Sequence, residues 1–142
     1  MIHEKSIGTV IYYERDAVIE YLLLHYTSGH WDFPKGHQAE NEIEIETAKR
    51  ELFEETGLND VEFTDRSKDK IHYFFRNPNR ELVSKDVIFF LAKSKAKEVT
   101  LSYEHKGYLW LKYDDALKKL TYENARGILK RANEFLQQMK RF

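Results

Sequence analysis

The chain has 142 residues, enough for one domain around a single core and short for two. Its 23 Lys and Arg nearly balance 24 Asp and Glu, a formal net charge of -1, so nothing draws it generally to DNA or to an anionic membrane. It has no cysteine, which excludes disulfides and thiolate chemistry and fits a reducing compartment. The opening MIHEKSIGTVIYYERD lacks the apolar centre of a signal peptide, and no apolar run approaches the roughly 20 residues of a membrane span, so a soluble, cytoplasmic protein is expected.

Residues 6–13 and 18–26, SIGTVIYY and VIEYLLLHY, are β-branched and aromatic runs separated by the charged turn ERDA, which predicts an antiparallel strand pair. Three consecutive leucines mark the second as buried. From 43 to 56, Ile45, Ala48 and Leu52 recur at helical spacing, and Gly57 stands where a helix commonly stops. Strands are expected over 61–76 and 82–94, with NPN at 77–79 as the turn between them, and a last strand over 107–113. Ala125, Ile128, Leu129, Ala132, Phe135, Leu136 and Met139 share one face of a final helix. Strands interspersed with helices predict a layered α/β or α+β domain.

Within the first helix, Glu51, Glu54 and Glu55 stand at i, i+3 and i+4, on one face beside the apolar stripe. Three like charges so placed repel, and a hard divalent cation such as Mg²⁺, which prefers oxygen ligands, removes the penalty. Taken alone the cluster reads as a solvated charged face. The surrounding residues change that reading: Gly36, Glu42, Arg50, Glu51, Leu52, Glu54, Glu55, Gly57 and Leu58 fill every specified position of the Nudix box. A chance match in a chain of this length is on the order of 10⁻⁸.

The chain thus resembles the Nudix hydrolases over essentially its whole length. The resemblance implies an α/β/α sandwich with a mixed central sheet and Mg²⁺-dependent hydrolysis, Mn²⁺ being an alternative metal, of a nucleoside diphosphate linked to another group. By the same resemblance Glu51, Glu54 and Glu55 are metal ligands, one of them alternatively the base. The Lys35 carbonyl is a further ligand, Arg50 orients the glutamates, and Glu42 supports them. At Ala39, Glu40 and Asn41 relatives often carry a Pro-Gly turn; its absence predicts a less rigid loop before the helix.

Outside the box, EYLLLHY at 20–26, HWDFPKGH at 30–37, LAKS at 91–94 and LSYEHKGYLWL at 101–111 resemble the asymmetrical diadenosine tetraphosphate hydrolases. In that group two tyrosines sandwich an adenine, which points here to Tyr73 and Tyr122, while His30, Lys35 and Lys85 match residues that contact the phosphates. Glu104 aligns with an acid recruited from beyond the helix as metal ligand or general base, and His105 beside it reads as a neighbour that orients or contacts phosphate, not as a ligand. The implied substrate is a dinucleoside polyphosphate, split into ATP and AMP. The segment WDFPKG also resembles RNA 5′-pyrophosphohydrolases and nucleoside triphosphate pyrophosphatases, although the neutral charge argues against an RNA end. A nucleotide-binding regulator without turnover is the reading from another class, and the complete set of acids argues against it.

Overall fold

The computed structural model describes residues 1–140 and, within them, every side chain but those of 65–67. The elements run β1 (Ile2–Arg15), β2 (Val18–Tyr26), β3 (Trp31–Asp32), β4 (Lys35–His37), α1 (Glu44–Thr56), β5 (Val61–Arg76), β6 (Leu82–Ser94), β7 (His105–Leu111), α2 (Tyr113–Lys119) and α3 (Glu123–Met139). The sheet is mixed. β1 pairs with β6 in parallel and with β2 and β4 antiparallel, β5 pairs antiparallel with β6, and β3 and β7 both join β2.

Helices cover both faces, because the central strands are apolar on both sides. In β2, Tyr21 and Leu23 pack with Val10, Val87, Phe89 and Leu91 against Ala125, Ile128, Leu129 and Leu136 of α3. Their neighbours Leu22 and Leu24 turn the other way, with Ile11 and Ala92, onto Leu52 and Leu58. Ala48 closes the same side over Ile7 and Ile88. A two-residue side-chain period with both phases apolar is what a covered sheet requires, and the expected α/β/α sandwich is the architecture found.

The differences from expectation lie at the ends of elements. β1 extends past both ends of its apolar centre, and the last strand begins at His105 and ends at Leu111. The hairpin turn falls at Asp16 and Ala17, both left-handed (φ 54 and 65), and Arg80 N–H closes the NPN turn on the Asn77 carbonyl at 2.8 Å. The strands β3 and β4 and the helix α2 were not anticipated, since pieces of 2, 3 and 7 residues carry too little periodicity. Met139, expected on the core face of α3, is instead exposed, one turn beyond Leu136.

Candidate active site

Helix α1 ends in a left-handed Gly57 (φ 73), whose N–H returns to the Phe53 carbonyl. Its last two turns carry three carboxylates, and the last turn has no basic residue, where the negative end of the helix dipole already disfavours anions. The three are graded in burial: Glu54 is exposed, Glu51 half-buried, and Glu55 only 3% exposed. Burial, followed by the charges of Glu51 and Glu104, pushes the Glu55 carboxyl up to about 9. Glu51 is also raised, by burial first, even though Arg50 works the other way.

Arg50 ties the cluster together. Its Nε and Nη2 donate to Glu42 at 2.6 and 3.0 Å, Nη1 reaches Glu51 at 2.9 Å and Glu54 at 3.2 Å, and Nη2 also meets the His37 carbonyl at 3.1 Å. Glu42 additionally accepts from the Ala39 N–H and the Thr47 hydroxyl, and the Gln38 amide donates to the Glu42 carbonyl. The loop expected to be loose for want of Pro-Gly is therefore pinned by Glu42, with Asn41 taking the left-handed conformation (φ 66). Gly36 lies directly against Glu51: a Cβ there would stand 2.0 Å from the Glu51 carboxyl carbon. Only glycine lets β4 come so close to the helix.

A cleft of about 610 Å³ opens beside this cluster. His30, Lys35, Tyr73, Lys85 and Tyr122 all line it, with Asp32, Phe75 and Asn124 among their neighbours. Five elements, β3, β4, β5, β6 and α3, and the two loop positions of His30 and Tyr122 contribute these groups. Tyr73 on β5 lies directly across the ladder from Lys85 on β6, so both point to one face. Tyr122 precedes α3, 52% exposed, with His30 against its ring at 5.5 Å. His30 is itself stacked on Tyr26 at 4.5 Å. Lys35 joins the cleft to the acids, its backbone N–H donating to Glu55 Oε2 at 2.9 Å and its ammonium to Asp32 at 3.0 Å. Burial works against the Lys35 charge, but Asp32 outweighs it and holds the ammonium above its ordinary value. Burial and the nearby Lys35 lower Lys85, and burial lowers His30. Asp32, buried and bonded to the Phe33 N–H, escaped the reading of the sequence; the only hint was an acid three residues before Lys35.

Glu104 is exposed just before β7, its carbonyl accepting the Thr27 N–H at 2.9 Å. Its charge is felt by Glu51 and Glu55, which places it on the acid side of the site. Of the two roles expected for His105, orienting a neighbour or contacting phosphate, its position agrees with the first. Its side chain is fully buried with Nε2 3.6 Å from Glu55 Oε1, so it stands behind the acid and does not face a phosphate in the cleft. Among the described residues, no three His, Cys, Asp or Glu side chains converge as a closed ligand shell, since Glu51 and Glu54 both turn to Arg50. The donor chemistry still suits a hard cation: carboxylate oxygens, in excess of nearby positive charge, with one of them buried and raised by its like-charged neighbours.

A family model described as "NUDIX domain" matches residues 3–132. The asymmetrical bis(5'-nucleosyl)-tetraphosphatase of Sus scrofa is 32% identical over 148 residues, covering 95% of this chain and 97% of the relative. The enzyme of the same name from Caenorhabditis elegans is 33% identical over 93% of this chain and 96% of its own. A crystal structure titled as a C. elegans Ap4A hydrolase binary complex superposes with a TM-score of 0.84 at 30% identity, covering 95% of this chain and 98% of that one. Nudix hydrolases generally use divalent metals, and the box that gathers the carboxylates is the part of the family most plainly written in this sequence. With the box complete, the sandwich built and the family matched across nearly the whole chain, the protein belongs to the NUDIX family and is a Nudix pyrophosphohydrolase.

Proposed function

We propose that the chain splits diadenosine tetraphosphate into ATP and AMP, with Mg²⁺ as its metal. The observation that carries this reading is the double role of Lys35, whose backbone N–H holds Glu55 while its ammonium lines the cleft shared by Tyr73, Tyr122, Lys85 and His30. An adenine between Tyr73 and Tyr122 sends its phosphates over Lys85 and Lys35 toward the acid helix. Stacking is worth about 1 to 3 kcal/mol per base, enough for two rings to anchor one end of a dinucleotide. The lysines supply the local positive charge that the whole molecule, at a net charge of -1, does not, and His30 adds a ring nitrogen for hydrogen bonding.

Glu51, Glu54, Glu55, Glu104 and the Lys35 carbonyl would hold the cation, which when bound withdraws charge from phosphoryl oxygens and acidifies a water. Arg50 gathers Glu51 and Glu54 at one point of the helix face, and Glu42 keeps Arg50 in place. A carboxylate, Glu104 or one of the helix acids, accepts the proton of the attacking water as its oxygen bonds to phosphorus. The bridging P–O bond breaks, and the electron pair leaves on the departing phosphate. No side-chain nucleophile takes part.

The test offers the dinucleotide, a nucleoside triphosphate and a 5′-triphosphorylated RNA in parallel, each with Mg²⁺ and with a chelator. The highest kcat/KM should belong to the dinucleotide, and the chelator should abolish turnover of it. Faster turnover of either competitor would reassign the substrate, and no hydrolysis under any condition would leave a nucleotide-binding protein.

A further inference from the structure

The segment between β6 and β7 is hung on the end of the acid helix. Thr100 N–H donates to the Thr56 carbonyl at 2.9 Å and Ser102 N–H to the Glu55 carbonyl at 3.3 Å. Within the segment, the Glu104 N–H donates to Ser102 Oγ at 3.4 Å, and Ser102 Oγ lies 3.0 Å from His105 Nδ1. A hydroxyl has one proton to give. Given by Ser102 to Nδ1, it makes Nδ1 the acceptor and leaves the imidazole proton on Nε2. Ser102 Oγ has lone pairs enough for either tautomer, but the opposite one would present a bare nitrogen lone pair to the Glu55 carboxylate, so the facing acid selects the proton on Nε2.

Nε2 is the one buried side-chain polar atom without a partner among the described residues. The imidazole carrying it is fully buried, braced edge-on by Tyr26 at 4.5 Å, and Tyr26 is fixed in turn through its hydroxyl to the Phe33 carbonyl at 2.6 Å. Facing Nε2 is Glu55 Oε1 at 3.6 Å, a few tenths of an ångström beyond hydrogen-bond length. Glu55 Oε2 already accepts from the Lys35 N–H at 2.9 Å, so the carboxylate lies between a main-chain donor and an imidazole donor. Each oxygen keeps a second lone pair for another partner.

We propose that Ser102 and His105 are positioning residues, a strut that backs the Glu55 carboxylate across the 3.6 Å from Nε2 to Oε1 and runs through Ser102 Oγ to the backbone N–H of Glu104, so that the acid of the helix and the acid beyond it are set by one line of polar contacts. The proposal rests on the reading that both acids serve the reaction. Nothing in the strut touches substrate; it acts through the acids alone.

Mn²⁺ bound to the substrate-free protein, followed by its electron paramagnetic resonance, is the probe, with kcat and KM measured beside it. His105→Leu should weaken Mn²⁺ binding by about 10- to 100-fold and lower kcat with KM little changed. His105→Gln, which returns an N–H donor near the Nε2 position, should recover most of both, and Ser102→Ala should move both in the direction of His105→Leu by less. Tyr103→Ala, in the same segment but 90% exposed and without a side-chain hydrogen bond among the described residues, should behave as wild type. A folded His105→Leu with wild-type Mn²⁺ affinity and kcat would overturn the proposal, as would equal losses in the Leu and Gln variants. If His105→Leu does not fold, an unchanged Ser102→Ala overturns it instead. Should the wild type bind Mn²⁺ yet hydrolyse no polyphosphate, the functional reading fails while the Mn²⁺ affinities of the variants still decide the strut.

Discussion

Glu104 and Glu42 show how differently two carboxylates of one site are used. Glu104 is exposed, its carbonyl tied to Thr27, and its charge reaches both Glu51 and Glu55. If it binds the cation or takes the proton of the water, Glu104→Gln lowers kcat by about 10²-fold or more in a protein that still melts normally. Steady-state kinetics beside a thermal melt separate the two effects, and near-normal turnover would return Glu104 to a solvated loop. Glu42 is structural. The Arg50 hydrogen bond, then that of the Ala39 N–H, holds its carboxyl down at about 2 from an ordinary 4.5. Because the folded state favours the ionised form, its stabilisation is complete above pH 4.5 and is lost as pH falls through about 2. The melting temperature of Glu42→Gln should therefore lie below that of wild type at neutral pH, and the gap should close on acidification across that window.

At the level of elements, the cleft is a meeting of β5, β6, the stretch from His30 through β3 to the start of β4, and the start of α3. Tyr73 is placed by ladder register opposite Lys85, and Tyr122 by the entry to α3, so neither ring depends on the other for its position. Tyr73→Ala and Tyr122→Ala should each raise KM for the dinucleotide by roughly 5- to 150-fold, as loss of 1 to 3 kcal/mol of stacking requires, while Phe at either site should keep most of the affinity. Isothermal titration with a non-hydrolysable dinucleotide measures the same loss without turnover.

The acid helix was legible in the sequence because everything that defines it is local: the glutamates share one face through the helical period, and Gly36 and Gly57 answer to a close approach and a left-handed turn. The grading of Glu54, Glu51 and Glu55 was not legible, since it depends on what packs over each of them. Asp32 and the burial of His105 were hidden for a related reason. Each is defined by residues far away in the chain, Asp32 by the folding of β3 against β2 and His105 by Glu55 and Tyr26. The tyrosines could be named only through resemblance, as nothing in an alternating strand or at a helix start distinguishes a cleft ring from a core ring.

Over the whole molecule, a sheet covered on both faces by helices carries two regions of opposite character side by side. One is acidic, at the end of α1; the other is aromatic and carries Lys85 and the Asp32-paired Lys35. A net charge of -1 conceals this separation, which is the arrangement a polyanion with a base at its end would need: charge neutralised along the cleft, and oxygen ligands where the chain is cut. Cleavage should then be asymmetric, because the anchored nucleoside fixes which phosphorus reaches the acids. The most direct measurement is chromatography of the products formed from diadenosine tetraphosphate in the presence of Mg²⁺. Equal amounts of ATP and AMP are the predicted result; two molecules of ADP would contradict it.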